Sequence, residues 1–308
     1  MREPTPYAGP GPGGRQRRAN VLGLIVPSVA NPFWGVFARE LEAEATRAGY
    51  QLQLCNGERD PAREQRYLRQ LLSEGHRGIV LCSSPLDLAS LVPFIRRGAV
   101  VVTADRVAVA DDPPGTMNVS VDNASGQQLA VAHLAGLGHR RIAFVTASIP
   151  AVSLVDRLAG FRAAAGHVGL APGEITVWPS RGRIPFGDTS LVELGRLAAH
   201  ELLAGRPEDP TAFVCVNDMC ALGVCRGALE LGYGIPGDVS VVGFDDILLA
   251  GLARPALTTI RQPMRQIAAR AFRLLREGLD DAGPPRTRTE LLLPELVVRE
   301  STAAPRAS

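Results

Sequence analysis

Short apolar runs alternate with longer amphipathic stretches along nearly the whole chain, and the alternation runs through twice. Residues 21–26 (VLGLIV), 50–55, 78–82 (GIVLC), 99–103 (AVVVT) and 117–121 read as strands, with helical stretches at 34–47, 61–73 and 86–96. In the first of these helices Val36, Phe37, Leu41 and Ala45 fall on one face, and Gly49 closes it. Pro61 suits the first turn of the second. After a helix at 123–137 that ends at Gly138, the pattern restarts. Strands at 142–146, 175–177, 212–216 and 239–243 alternate with helices at 153–165, 189–203 and 218–231. A repeated strand–helix–strand order builds a parallel sheet with helices on both faces. Most of these strands lack in/out alternation, as sheets covered on both sides require; 117–121 alternates more and reads as an edge strand. The expected fold class is α/β, with two doubly wound, Rossmann-like subdomains.

The end of the chain adds a strand at 257–260, a helix at 264–279 and a strand at 290–293. These are too few for a third domain and are expected to complete the two lobes. The chain would then cross between lobes near 137–141, 259–263 and 280–286, which makes a hinged pair with a cleft. The expected division is 1–19 as a disordered Pro/Gly/Arg-rich segment, 20–138 plus 262–281 as the first subdomain, 139–261 plus 282–302 as the second, and 303–308 as a disordered tail.

Composition excludes several functions. A net charge of +2, with Arg15, Arg17 and Arg18 as the only dense basic cluster, does not suit a chain that wraps nucleic acid over its whole surface. No apolar run approaches the roughly 20 residues of a membrane span, so no membrane partner is expected. No signal-peptide core precedes the first strand. The cysteines are odd in number; Cys82 and Cys215 sit in apolar runs, and Cys215, Cys220 and Cys225 do not have zinc spacing. They read as buried reduced thiols of a cytoplasmic protein. Neither a nucleophile elbow nor a phosphate-cradling loop occurs, and the histidines read as solvated or capping groups. No enzyme activity, cofactor or metal is expected.

The segment 240–246 (SVVGFDD) instead ends a buried strand in two carboxylates, the place where open α/β sheets bind ligands. Asp245 can accept hydrogen bonds from a ligand, or cap a helix at 247–252. Arg157 offers a planar fork of donors, or an ordinary surface pair with Asp156. Asn217 can donate and accept at a strand end, with Asp218 the better cap for the following helix. Phe33 and Trp34 provide a flat apolar face, or plain packing. Asp105 and Arg106 form either a ligand pair or an ion-paired rim, and Ser153, one turn before Arg157, either faces the same ligand or caps.

Taken in order, residues 21–32 (VLGLIVPSVANP) with Phe33 and Trp34, Asp105-Arg106, VDN at 121–123, LGHRRIA at 137–143, RLAGF at 157–161, VND at 216–218, VVGFDD at 241–246 and LTTIRQP at 257–263 resemble the lac/galactose repressor family of bacterial transcription regulators. The resemblance spans about residues 20–300. It implies a periplasmic-binding-protein-like fold and a small polar effector, a sugar or a nucleoside or purine, held in the cleft. The implied effector-binding set is Asn31, Phe33, Trp34, Asp105, Arg106, Asp122, Ser153, Arg157, Asn217 and Asp245. It further implies a homodimer that controls operator DNA allosterically through an N-terminal helix-turn-helix. The Pro/Gly-rich residues before the first strand cannot form a recognition helix, so DNA binding is expected of a domain absent from this stretch. The family pattern also places an aromatic shortly before the helix at 189–203; Phe186 stands a few positions early. The competing reading is the sugar-binding protein of a transport system, which needs export.

Overall fold

A computed structural model describes residues 20–148, 151–179, 189–281 and 287–306. The first half runs β1 (Val21–Val26), α1 (Pro32–Arg47), β2 (Gln51–Asn56), α2 (Pro61–Ser73), β3 (Gly78–Leu81), α3 (Val92–Ile95), β4 (Val100–Ala104) and β5 (Met117–Val121). It continues through α4 (Asn123–Gly136), β6 (Ile142–Thr146), α5 (Val152–His167), β7 (Ile175–Pro179), α6 (Thr189–Leu202), β8 (Ala212–Cys215), α7 (Asp218–Glu230) and β9 (Ser240–Asp245). The end comprises α8 (Leu248–Leu252), β10 (Thr258–Arg261), α9 (Met264–Asp280), β11 (Arg288–Leu292) and β12 (Glu295–Val297).

The strands form two six-stranded sheets. The first, in the order β11-β5-β4-β3-β1-β2, is parallel throughout. The second, β12-β10-β9-β8-β6-β7, is parallel except for β12, which runs against β10. The fold class is therefore α/β with two doubly wound lobes. Local sequence explains the elements. Asn31 and Asp60 cap α1 and α2 by accepting from Phe33 N and Ala62 N at 3.0 and 2.9 Å, and a proline follows each cap. The amphipathic α9 buries Ile267, Ala268, Ala271, Phe272, Leu274 and Leu275 over β3, β4 and β5 of the first sheet.

Three expectations about lobe boundaries are corrected. Helix α4 belongs to the second lobe, so the first crossing lies at Asp122 and not at 137–141. Glycines allow this: a Cβ at Gly126 would meet Phe244 of β9, and one at Gly160 of α5 would meet the backbone of Ala124. Strand β11 pairs with β5 in the first sheet, register Arg288↔Met117 to Leu292↔Val121. That makes β5 interior, not an edge, and moves the last crossing from 280–286 to 293–294, between β11 and β12. The middle crossing, Gln262 and Pro263 between β10 and α9, falls where it was expected. The predicted helix at 86–96 is shorter, a 3₁₀ turn Ala89–Leu91 leading into α3, and Pro85 just before it forms a β-bridge with Ala151.

The expected tail is also corrected over residues 303–306. Ala303 N donates to Ser240 Oγ at 3.1 Å, and Arg306 pairs with Asp238 at 2.5 Å. The imidazole of His139, 1% exposed, joins Thr211, Ser240 and the Ala303 carbonyl at 2.9–3.0 Å, so this histidine is not solvated. Burial lowers its pKa below the ordinary histidine range. Residues 1–19 and 307–308, and Phe186, lie outside the described residues.

Helices α6 and α7 approach so closely that a Cβ at Gly195 would overlap the carbonyl oxygen of Cys220, and one at Gly223 that of Val192. Gly223→Ala is expected to overpack this crossing, at a cost of about 1–3 kcal/mol, and to lower the thermal midpoint by several degrees. An unchanged midpoint in differential scanning calorimetry would mean that the helices have room to part.

Candidate functional site

The carboxyl ends of both sheets face one cleft. Strand β4 runs into Asp105 and β9 ends at Asp245, and both strands turn sharply there. Asp105, Asp245 and Asp246 have φ of 61°, 121° and 56°, backbone that non-glycine residues adopt only under strain. The turns carry the carboxylates off their strands and into the space between the lobes.

Arg157, on the second turn of α5, is 4% exposed and gathers the site around it. Its Nε donates to Asn123 Oδ1 at 2.8 Å and its Nη1 to the Val216 carbonyl at 2.6 Å. Its guanidinium carbon lies 3.8 Å from the centre of the Phe244 ring, a cation–π contact. Its Nη2 stands 3.6 Å from Asp105 Oδ1 of the first lobe and 3.8 Å from Asp245 Oδ1 of the second. Among the described residues Arg157 makes these contacts in place of the alternative surface pair with Asp156. Asp105 Oδ2 accepts from Ser153 Oγ at 2.9 Å, and Asp245 Oδ1 accepts from Gln262 Nε2 at 2.8 Å. One cation thus faces a carboxylate from each lobe, and neither carboxylate sits at close hydrogen-bond distance from it.

The cleft between the lobes is narrow, with a cavity volume of about 30 Å³. Asn31, Phe33, Trp34, Asp105, Arg157, Asn217 and Asp245 of the expected set line it. Phe33 and Trp34 meet edge to face at 4.8 Å, so each can offer a ring surface or edge from the first lobe. Ser153 acts behind Asp105 and does not cap; the α5 cap position is Ala151. Where this helix begins the lobes also touch directly, with Val152 N donating to Ser84 O at 2.9 Å and Ser153 N to Ser84 Oγ at 3.2 Å.

Two expected residues are not brought into the cleft. Arg106 is fully buried and forks onto Asp112, each Nη 2.6 Å from one carboxylate oxygen, while its Nε donates to the Pro85 carbonyl at 2.8 Å. It braces the loop after β4 and makes no rim pair with Asp105. Asp122 caps α4, accepting from Ser125 N at 3.0 Å and Ser125 Oγ at 2.7 Å. The capping roles of the second lobe are also reassigned. Asn217, not Asp218, caps α7, accepting from Cys220 N at 2.9 Å. Asp218 is fully buried and receives Ile247 N at 2.8 Å and Thr259 Oγ1 at 2.5 Å, so it, and neither Asp245 nor Asp246, serves the backbone ahead of α8. Asp246 pairs outward with Arg261 and Arg299. Sequence reasoning missed Arg59, Leu154, Leu191 and Val216 in the lining. Arg59 follows β2 in a turn with φ of 53°, and its position just past a parallel strand was the available signal.

Burial, and then the neighbouring Asp245 carboxylate, push the pKa of Asp218 well above the usual carboxylate range. Among the described residues no group of three or more His, Cys, Asp or Glu side chains is arranged to hold a metal. Among them, too, no helix is long and apolar enough to cross a membrane.

Two Rossmann-like lobes, joined by three crossings and meeting at a polar cleft, define a periplasmic-binding-protein-like ligand receptor. The periplasmic binding protein-like domain family matches residues 131–302. The transcriptional regulator reg1 of Streptomyces lividans, an HTH-type protein, is 35% identical over 94% of this chain and 83% of its own length. A LacI transcriptional regulator from a Rhodococcus species superposes with a TM-score of 0.78 at 31% identity, covering 92% of this chain and 98% of that one. A periplasmic binding protein/LacI transcriptional regulator from Alkaliphilus metalliredigens, solved with D-xylulofuranose, gives a TM-score of 0.77 at 25% identity over 92% of this chain and 99% of that one. The chain belongs to the lac/galactose repressor family of bacterial transcription regulators, whose members act as regulators and not as enzymes.

A carboxyl whose pKa is raised on folding contributes its stability at low pH and loses it as pH rises through the folded value. Asp218→Asn mimics the protonated acid and still presents one acceptor to Ile247 N. It is expected to keep the fold and to gain stability over the natural chain as pH rises from 5 to 8, read as a widening difference in melting temperature. A difference that is constant with pH would show Asp218 ionised in the folded state.

Proposed function

We propose that the cleft binds a small polar effector, a sugar, and that the two lobes close on it to change the state of a homodimer in the cytoplasm. Operator DNA is then controlled allosterically, through a helix-turn-helix domain outside residues 20–306. The observation that carries this reading is the single guanidinium of Arg157 set between a carboxylate from each lobe. Hydroxyls of one polyol can donate to Asp105 and Asp245 and accept from Arg157 at once, so occupancy favours the closed arrangement of lobes. Asn217 and Asn31 can add donors and acceptors, and Phe33 and Trp34 an apolar face. The edge-to-face aromatic pair suits a sugar ring better than a sandwiched purine. The relative solved with D-xylulofuranose supports the same class. The exposed Leu248, Leu249 and Leu252 of α8 offer apolar area that a second copy of the chain would cover. A monomer in sedimentation velocity would instead favour a transport-type sugar-binding protein.

The experiment is a thermal-shift screen across sugars, nucleosides and nucleobases. A ligand present at about a hundred times its Kd stabilises the folded chain by about 2.7 kcal/mol. Arg157→Ala and Asp245→Ala are each expected to abolish that shift while circular dichroism stays unchanged. Losing one member of a buried charge pair costs about 2–5 kcal/mol of binding. Undiminished shifts in both variants would place the effector elsewhere.

A further inference from the structure

Arg157 has a long side chain with many rotamers, yet it must stay aimed when Asp105 moves away with the first lobe. Three contacts within the second lobe hold it: the Phe244 ring, the Val216 carbonyl and Asn123. The first two are generic, since a ring face and a backbone oxygen accept many approaches. Asn123 differs from them. It is the first residue of α4, directly after the crossing at Asp122, whose own N–H donates to the Leu292 carbonyl beside the last crossing at 2.8 Å. It is 3% exposed. It does not cap its helix, because Asp122 does. Among the described residues its side chain makes one hydrogen bond, to Arg157 Nε, and its Nδ2 has no protein partner. Burying a carboxamide with half its polar atoms unpaired is unfavourable. A leucine of nearly the same shape would avoid that penalty. The residue therefore spends stability on a single contact, and that contact is with the cleft guanidinium.

We propose that Asn123 is the positioning residue for Arg157. Its side-chain carbonyl takes the Nε–H, the Val216 carbonyl takes one Nη1–H, and the Nη2 edge is left facing Asp105, Asp245 and an effector. Because Asn123 sits at the pivot, it keeps the guanidinium aligned whether the cleft is open or closed. Arg157 is thereby set for binding before the first lobe arrives, which reduces the ordering cost of binding. The positioning role concerns the unliganded chain; only its effect on affinity rests on the reading of the cleft as an effector site.

An isosteric pair of variants tests it. Asn123→Leu keeps the volume and removes the acceptor; Asn123→Asp keeps an acceptor and places a negative charge in the first helical turn, where the helix dipole favours it. The readout is the Nε–Hε resonance of Arg157 in ¹⁵N-labelled protein without ligand, assigned by its loss in Arg157→Lys. Exchange with water is expected to be slow in the natural chain and in Asn123→Asp, and at least tenfold faster in Asn123→Leu. Equal exchange in the two variants, or no change in Asn123→Leu, overturns the proposal. Calorimetric titration with D-xylulose forms the second arm, with affinity expected to fall at least tenfold in Asn123→Leu and less than threefold in Asn123→Asp. If the natural chain does not bind D-xylulose, that sugar fails as effector, while the resonance still decides the role of Asn123.

Discussion

A guanidinium removed from water must be surrounded by acceptors and counter-charges, and Arg157 draws two hydrogen-bond acceptors and two facing carboxylates from four separate parts of the chain. The start of α4 supplies Asn123, the end of β8 supplies the Val216 carbonyl, β9 supplies Asp245, and β4 of the opposite lobe supplies Asp105. A buried charge without such partners would cost several kcal/mol. The requirement ties the carboxyl ends of both sheets to one point. The crossings at Asp122 and at Gln262 each place a carboxamide-bearing residue beside one half of the charged pair, Asn123 on Arg157 and Gln262 on Asp245. Hinge and site are built from neighbouring residues.

The charge balance of this region explains its chemistry. Asp105 and Asp245 face Arg157, Arg59 also lines the cleft, and Asp218 lies directly behind, held toward its neutral form by burial and by Asp245. Gly243 makes that third carboxyl possible, since a Cβ there would overlap Asp218 Oδ1. Carboxylates, guanidinium groups and carboxamides side by side suit a ligand whose hydroxyls both donate and accept.

What was readable in the sequence follows from the range of the forces involved. Strand and helix periodicity is local, and so are the caps at Asn31 and Asp60; the double α/β pattern and seven of the eleven residues that line the cleft came from such signals and from the ordered family motifs. Most of the misreadings turn on distant contacts. The lobe to which α4 belongs is set by Gly126 against Phe244 and Gly160 against Ala124, pairs that no window of sequence joins. The pairing of β11 with β5 spans more than 160 residues, so β5 looked like an edge. Arg106 found Asp112 and not its neighbour Asp105, and His139 was drawn inside by Ser240 and Ala303. Asn217 and Asp218 exchanged roles because Thr259 and Ile247 arrive from elsewhere to claim the aspartate.

The late return of α9 and β11 bears on how the chain emerges from the ribosome. Through residue 121 the first sheet has every strand but its last, yet the part of one face over β3, β4 and β5, beside α1, awaits α9 and one margin awaits β11. The second lobe, from α4 to β10, can gather its helices and five of its six strands first. The earlier-made lobe therefore waits through the synthesis of the second, and until translation nears its end it presents bare apolar surface and an unpaired strand to chaperones and to other nascent chains.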